Sequence, residues 1–351
     1  MKRVFQLILV ITFTFGFYQG VIDIHQKYTR DYFVYVGEIL SIGKEVVAEQ
    51  SSPYIKIAGN KINSGVNSAK GKMASISEAF EREDEVITIE RKDLSKKGVY
   101  MNHSGEIKLS SDSYIVADLV SGKTIIEKDS DVVYPIASLT KLMTAIVSLD
   151  KLEQDIITKV SPDAVGAYGY AGNLEIDEEI KVSDLLFPLL LESSNDAAEV
   201  ISEVYGKTFF MRQMNDKARE LGLEDTFFDD PSGLSENNTS TTKDIFNIAK
   251  YVHNNKGYIF DITMIPYKDL GDHTWYNNSS FIDDDRYIGS KNGYTDEAEK
   301  TLVVTYNLDF NGYERPIGIV LLHGTDSKGD VKKILQYLKE NVEYIDVEVV
   351  S

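Results

Sequence analysis

The sequence contains no cysteine, which excludes disulfides, thiol nucleophiles and cysteine-ligated metal ions. Its five histidines are scattered, and none lies in an HExxH-type spacing, so neither a metal ion nor another cofactor is expected. Positive charge is also scarce. The formal net charge is −19 at pH 7, and so acidic a surface repels the phosphates of nucleic acids. Nucleic acid is therefore not an expected partner.

The composition is that of a folded chain, because 42% of the 351 residues are hydrophobic and 26% are charged. Lys2 and Arg3 precede the apolar run Val4–Ile22. This pattern predicts a signal peptide or an N-terminal membrane anchor over residues 1–22. No small-residue cleavage site follows the run, which favours an uncleaved anchor and an extracytoplasmic, membrane-tethered protein.

Residues 23–110 are predicted to form a juxtamembrane helix and a linker. Apolar residues recur at helical spacing over Tyr28–Gln50, which indicates an amphipathic helix near the membrane. The segment Ser51–Lys72 is polar and rich in serine, glycine and asparagine, as is typical of a flexible linker. The main folded domain is expected over residues 111–345, with a short tail at 346–351.

Strand-like runs lie at both ends of this domain, and helical patterns lie between them. Tyr114–Leu119 and Thr124–Lys128 predict one hairpin, and Thr301–Tyr306 and Pro316–Leu322 predict another. We therefore predict an α/β fold of the α+β type, with one antiparallel sheet flanked by helices and a second, helical lobe. A site is expected where the helical lobe meets the edge of the sheet.

The stretch around Ser138 and Lys141 has the pattern of a nucleophile and its base. Residues three apart share one face of a helix, so the lysine amine can activate the serine hydroxyl. Backbone N–H groups at the start of the helix can also bind an oxyanion. The spacing recurs at Ser41–Lys44 and Ser240–Lys243, however. A capping serine beside a lysine that extends to solvent therefore remains an alternative explanation.

Two further motifs can carry chemistry. Ser193 and Asn195 stand between two apolar helices, where a hydroxyl can relay a proton and an amide can hold a lysine or a carbonyl. An ordinary helix cap is the alternative. Lys291 and Gly293 lie on a predicted edge strand that can bind a carboxylate and accept a peptide as an extra strand. Here the alternative is a hairpin turn at Asn292–Gly293.

The motifs follow one another as Ser138-x-x-Lys141, Ser193-x-Asn195 and Lys291-x-Gly293. In this order they resemble the penicillin-binding low-molecular-weight D-alanyl-D-alanine carboxypeptidases, which have a β-lactamase/transpeptidase-like fold. The similarity extends to flanking segments and covers residues 111–344; these segments are IASLTKLMTA, VSDLLFPLLLESSNDAAEVI, MNDKARELGLEDTFFDDPSGL and GSKNGYTDEA.

The resemblance implies a role for each residue of the first two motifs. Ser138 is expected to be acylated, with Lys141 as its general base. The positive charge of Lys291 is expected to keep the pKa of Lys141 low. Ser193 is expected to pass protons to the leaving D-alanine, and Asn195 to position Lys141 and the substrate.

The third motif is expected to bind the substrate. Lys291 faces the terminal carboxylate of the peptide in this interpretation, and Arg315 is a second candidate for that carboxylate, unless it is only an arginine at an exposed strand end. The family usually has threonine where this chain has Asn292, and that threonine hydroxyl bonds the carboxylate. The amide of Asn292 and the hydroxyl of Thr295 can supply other donors, so altered substrate or β-lactam affinity is expected.

The implied function is a serine D-alanyl-D-alanine carboxypeptidase that acts on peptidoglycan stem peptides through an acyl-enzyme on Ser138, with β-lactams as covalent inhibitors. A class A β-lactamase needs a Glu-x-x-Leu-Asn segment, which this chain lacks. A D,D-endopeptidase stays open. A non-catalytic wall-binding homologue also stays open, with Asn292 as its only support.

Overall fold

The computed structural model describes residues 97–101, 107–169 and 171–346. The predicted signal peptide or anchor at residues 1–22, the predicted amphipathic helix and linker up to residue 96, and the tail from residue 347 lie outside the described residues. Across the described ranges, no helix has both the length and the apolar character that crossing a membrane requires.

The described chain contains both strands and helices. The strands are β1 Lys97–Met101, β2 Ser113–Asp118, β3 Thr124–Lys128, β4 Tyr134–Pro135, β5 Ile157–Lys159, β6 Glu179–Lys181, β7 Thr239–Ser240, β8 Tyr267–Leu270, β9 His273–Tyr276, β10 Tyr287–Thr295, β11 Glu299–Phe310, β12 Tyr313–Gly324 and β13 Val342–Asp346. The α-helices are α1 Thr140–Lys151, α2 Pro162–Val165, α3 Val182–Phe187, α4 Asn195–Glu203, α5 Lys207–Glu220, α6 Thr242–Asn255, α7 Tyr258–Met264 and α8 Ser327–Asn341.

The main sheet is antiparallel and has the order β10-β11-β12-β2-β3. This confirms the predicted architecture, in which the first hairpin and the C-terminal strands form one sheet. The strands β10 and β3 are its edges. Between α1 and α3 the chain contains only the short helix α2 and the short strands β5 and β6 among the described residues.

The sheet separates two apolar layers because successive strand residues point to opposite faces. Ile115 and Ala117 pack toward the helical lobe, which includes α1, α4, α5 and α6. Tyr114 and Val116 belong to the other layer, which α8 covers. On β11 the same alternation sends Val303 to the lobe side and Leu302 to the α8 side.

One strand pair crosses the predicted domain boundaries. Strand β1 lies inside the predicted linker, and it pairs with β13, which runs past the predicted end at residue 345. Gly98 lies opposite Ile345 and Met101 opposite Val342. The folded domain therefore starts earlier than Ser111. A five-residue strand whose partner is more than 200 residues away leaves little local signal in a sequence.

Candidate active site

Ser138 lies in a tight turn, Ala137–Leu139, that leads directly into α1. Ala137 has a left-handed backbone with φ 47°, a conformation that non-glycine residues adopt only when their surroundings enforce it. Two glycines supply those surroundings. A Cβ on Gly233 would overlap the carbonyl of Ala137, and a Cβ on Gly293 would lie 2.7 Å from the backbone nitrogen of Ser138. Both sites require glycine if the turn is to keep this position.

The amine of Lys141 is fully buried and contacts three oxygen atoms. Its Nζ lies 2.9 Å from Ser138 Oγ, 2.7 Å from Asn195 Oδ1 and 2.5 Å from the backbone oxygen of Ser232. These groups come from three separate segments of the chain. None of the three oxygens belongs to a carboxylate, so the amine is surrounded by neutral acceptors.

Burial lowers the pKa of Lys141 to about 7. The charges of Asp230 and Glu199 oppose this shift, but the loss of hydration is the larger effect. The pKa of Lys291 is lowered too, first by burial and then by the charge of Lys141. Burial is therefore the largest cause for both amines, and the repulsion between the two amines that the resemblance implies adds to it.

Ser194, which lies between the two predicted residues Ser193 and Asn195, has a structural role. Ser194 caps α4, because its Oγ accepts a hydrogen bond from the backbone nitrogen of Ala197 at 3.1 Å. Asn195 is therefore free to act through its amide. Its Nδ2 donates to the carbonyl of Tyr168 at 2.5 Å, while its Oδ1 faces Lys141. Both ends of the amide are held, so its orientation is fixed.

Ser193 and Lys291 meet across the site. Ser193 ends the π-helical turn Pro188–Glu192 and has a left-handed backbone with φ 64° and ψ 35°. This geometry directs its Oγ to the Nζ of Lys291 at 2.9 Å. Lys291 is only 1% exposed and also donates to the carbonyl of Asn292 at 2.7 Å. The first and third predicted motifs thus lie on either side of the second.

Strand β10 presents alternate residues to different sides of the sheet. Lys291 is paired with Val303, on the lobe side, and Asn292 is paired with Leu302, on the α8 side. Asn292 is exposed, and it lines a cavity of about 290 Å³ together with Tyr294. The side chain of Asn292 therefore lies on the face of β10 opposite to the Ser138 turn.

Thr295 stands at the end of β10, on the same side as Lys291 and Gly293 by strand alternation. Its Oγ accepts a hydrogen bond from the backbone nitrogen of Ala298 at 3.1 Å and so stabilises the turn into β11. The predicted contact of Thr295 with a substrate carboxylate remains a prediction.

Arg315 lies far from the other predicted residues, and this corrects its place in the site. The register sets it opposite Leu308 on β11, five residues along β12 from Val320, which is about 17 Å along the strand. Arg315 is fully buried, and its Nε donates to Asp118 Oδ2 at 2.6 Å. Tyr344 donates to the same carboxylate oxygen at 2.9 Å. Arg315 is thus part of a buried structural ion pair.

One segment of the site, the turn Asp230–Gly233, makes a backbone contact that side-chain motifs do not reveal. It brings the carbonyl of Ser232 to Lys141. Asp230 holds this turn because its carboxylate accepts hydrogen bonds from the backbone nitrogens of Ser232, Gly233 and Ser235. In the sequence, the DPSGL segment predicts a turn at this place, but it does not predict that the turn contacts Lys141.

Comparison with known proteins agrees with this geometry. A family model described as D-alanyl-D-alanine carboxypeptidase matches residues 100–320. The chain belongs to the D-alanyl-D-alanine carboxypeptidase family. This confirms the resemblance inferred from the three motifs, and with it membership of a family of serine hydrolases that act on the cell wall.

Two individual relatives of the family are named as endopeptidases. A D-alanyl-D-alanine endopeptidase of Haemophilus influenzae is 33% identical over 231 residues, which cover 61% of this chain and 76% of that protein. A D-alanyl-D-alanine endopeptidase of Pseudomonas aeruginosa is 37% identical over 142 residues, or 39% of this chain and 46% of that protein. The match thus spans about half the length of the second relative.

The fold is also that of the family. A crystal structure of a D-alanyl-D-alanine carboxypeptidase from Mycobacterium tuberculosis aligns with a TM-score of 0.62 and 26% identity. The alignment covers 68% of this chain and 94% of that structure. The described domain therefore contains nearly all the elements of a family member.

Proposed function

We propose that the protein is a serine D-alanyl-D-alanine carboxypeptidase that removes the terminal D-alanine of peptidoglycan stem peptides. The observation that carries this proposal is the buried amine of Lys141, 2.9 Å from Ser138 Oγ and surrounded by neutral acceptors. A general base must be unprotonated near the working pH, and burial lowers the pKa of Lys141 to about 7.

The contacts of the amine orient its lone pair. A neutral amine has two N–H donors and one lone pair. Asn195 Oδ1 and the Ser232 carbonyl can take the two donors, which leaves the lone pair directed at the hydroxyl of Ser138. Ser138 can then lose its proton to Lys141 as its Oγ attacks the substrate carbonyl.

When Ser138 attacks the carbonyl carbon, negative charge develops on the carbonyl oxygen. Hydrogen-bond donors must lie beside that oxygen to stabilise the charge. The backbone N–H of Ser138 lies at the start of the α1 turn, against Gly293 on the edge strand β10. An edge strand has backbone groups free for a peptide, so the substrate can bind along β10 and place its carbonyl beside Ser138.

The leaving D-alanine requires a proton and a partner for its carboxylate. Ser193 Oγ lies 2.9 Å from Lys291 Nζ, so the pair can deliver a proton to the departing nitrogen. A substrate carboxylate beside Lys291 favours the charged form of its amine, which burial otherwise disfavours, so Lys291 can hold that carboxylate in place of Arg315. Water then releases the acyl group from Ser138, and a β-lactam is expected to acylate the same oxygen.

A labelling experiment tests this function. Protein with and without Ser138→Ala is incubated with a fluorescent penicillin, and D-alanine release is measured from a stem-peptide mimic that ends in D-Ala-D-Ala. We expect labelling and release by the wild type only. A wild type that does neither contradicts the proposal and favours a wall-binding homologue.

A second candidate is a D,D-endopeptidase that cleaves cross-links between stem peptides. It is favoured by the names of the two relatives above, both endopeptidases. Supplying the enzyme with a cross-linked dimer and a monomeric pentapeptide separates the two activities by their products. Preferential cleavage of the dimer favours the endopeptidase.

For location, we propose an extracytoplasmic protein held at the membrane by residues 1–22, on the strength of the basic start and the apolar run Val4–Ile22. Mass spectrometry of the native N-terminus and fractionation of cells test this. A mature N-terminus beyond residue 22 contradicts the tether.

A further inference from the structure

Ser193 meets Lys291 in a backbone conformation that side chains rarely adopt. Its φ of 64° and ψ of 35° are left-handed, and outside glycine this conformation persists only where the surroundings enforce it. The distance of 2.9 Å between Ser193 Oγ and Lys291 Nζ depends on this backbone. The contacts on either side of Ser193 therefore decide whether the two groups meet.

Glu192, the residue before Ser193, is bonded to two other segments of the chain. Its Oε2 accepts a hydrogen bond from the backbone nitrogen of Gly172 at 2.9 Å, and its Oε1 accepts one from the backbone nitrogen of Tyr276 at 2.9 Å. Gly172 lies between α2 and β6, and Tyr276 is the last residue of β9. One carboxylate thus fixes the chain that enters Ser193 against both segments.

Gly172 also supports the residue after Ser193. Its φ is 99°, and a Cβ at this position would overlap Ser194 Oγ, so the backbone of Gly172 packs directly against Ser194. The Gly172 carbonyl accepts a hydrogen bond from Trp275 Nε1 at 2.7 Å, which holds Gly172 in turn. Both neighbours of Ser193 therefore contact the same residue, and this restricts the backbone of Ser193 between them.

The two backbone donors explain why an acid suits position 192. A carboxylate accepts through two oxygens and has no N–H group, whereas a glutamine amide has one oxygen and an NH₂ group that would face the second donor. Hydrogen bonds to a charged acceptor are also stronger than those between neutral groups. The carboxylate of Glu192 therefore serves to hold two backbone segments next to Ser193.

We propose that Glu192 is a positioning residue for the reaction: by holding the backbones of Gly172 and Tyr276, it keeps Ser193 in the left-handed conformation that places its Oγ against Lys291. The inference rests on the proposed function, because it gives Glu192 an effect on the step that Ser193 serves. Glu192 acts through Ser193 and has no part in the chemical step itself.

A near-isosteric variant tests the effect on catalysis. Glu192→Gln keeps the length of the side chain but leaves one of the two backbone N–H groups without an acceptor. We expect kcat/KM for D-alanine release from a stem-peptide mimic to fall by about 10- to 100-fold, as small displacements of catalytic groups do. In the Ser193→Ala background the same change should alter kcat/KM by less than about twofold, because the hydroxyl that Glu192 positions is already gone. A purely structural Glu192 would lower kcat/KM equally in both backgrounds.

A thiol at position 193 reports the geometry without any need for activity. The chain contains no cysteine, so Ser193→Cys introduces a single thiol. Its pKa is measured from the pH dependence of its reaction with a thiol reagent, first with Lys291 present and then with Lys291→Met. We expect Lys291 to lower this pKa by about one pH unit or more, the usual effect of a close cation. Glu192→Gln should reduce this difference to less than about half, because the thiol is no longer held beside the amine.

Two further variants assign these effects to the contacts around Gly172. Trp275→Phe removes the donor to the Gly172 carbonyl while Glu192 stays intact, and it should also lower kcat/KM only when Ser193 is present. The matched control is Asp269→Asn, which removes an acid from the hairpin of β8 and β9, where its carboxylate accepts a hydrogen bond from Thr274 Oγ1. This control should retain both kcat/KM and the thiol pKa. Urea unfolding of each variant restricts the comparison to folded protein.

Three results would overturn the inference. They are a kcat/KM that Glu192→Gln leaves within about twofold of wild type, an equal loss in the presence and absence of the Ser193 hydroxyl, and an unchanged effect of Lys291 on the thiol pKa. Failure of the proposed function is seen separately, as a wild type that neither releases D-alanine nor reacts with penicillin. In that case the thiol comparison still decides whether Glu192 holds position 193 beside Lys291.

Discussion

Two of the buried cations in this domain differ in what surrounds them. Lys141 in the catalytic pocket and Arg315 beneath the sheet are both fully buried. Burial tends to lower the pKa of each. For Arg315 this tendency is outweighed by the hydrogen bond and charge of Asp118, and its pKa is raised. For Lys141 it is opposed only by more distant acids, and its pKa falls to about 7.

The contrast shows how one fold can keep one buried cation charged and let another lose its proton. Asp118 is itself buried, which raises its pKa, but the bonds from Arg315 and Ser121 outweigh burial and keep it ionised. The pair stays charged and stabilises the sheet. The neutral acceptors around Lys141 hold it in place without stabilising its charge, so the amine can lose its proton.

Removing the reactive cation should produce the largest effect on activity. Lys141→Met keeps the length and apolar stem of the side chain but deletes the base. We expect acylation by a fluorescent penicillin to slow by about 10²- to 10⁴-fold, the usual contribution of a general base. The free energy of unfolding in urea should remain close to that of the wild type, because the variant buries no unpaired charge. An acylation rate within threefold of wild type would contradict the role of Lys141.

Removing the partner of the fixed cation should affect stability instead. Asp118→Asn leaves the buried charge of Arg315 without its counter-ion, and we expect the free energy of unfolding to fall by about 3–5 kcal/mol. Urea unfolding measures the change. Acylation per folded molecule is the control and should stay within about twofold, since this ion pair lies far from Ser138. A selective loss of acylation would place Arg315 back in the site.

The pH dependence of acylation reports the charge of Lys141 directly. The amine must be neutral to act, so the rate should fall about tenfold per pH unit below pH 7 and level off above it. Glu199 raises the pKa of Lys141, so Glu199→Gln should move this acidic limb to lower pH. Stopped-flow labelling across pH measures both profiles. An acidic limb that stays in place in Glu199→Gln would contradict the electrostatic account.

The smallest effect is expected at Asn292. Its side chain lies on the α8 side of β10, so Asn292→Thr should change penicillin acylation by no more than about threefold. The neighbouring Gly293→Ala is the contrast. Its new Cβ would lie 2.7 Å from the backbone nitrogen of Ser138, and acylation should fall at least tenfold. A large rise in rate with Asn292→Thr would show that the amide weakens carboxylate binding, as the sequence suggests.

The sequence predicted well which side chains meet in the pocket, and it predicted their surroundings less well. Ser138, Lys141, Ser193, Asn195, Lys291 and Gly293 were all identified, and the structure brings them together. Their motifs are short and local, and a helix or strand fixes the spacing within each. Arg315 was misplaced because an arginine at a strand end has the same pattern in sequence whether its side chain faces solvent or a buried aspartate.

The sequence by itself determined the family, the two-layer α+β architecture and the residue types of the site, since these depend on periodicity and on local motifs. Tertiary structure alone decided that Ser232 and Tyr168 supply carbonyls to the site, that β1 joins β13, and which buried cation has a counter-ion. These features join segments far apart in the chain. Whether a buried lysine is a base or a fixed charge depends on the groups that folding brings around it.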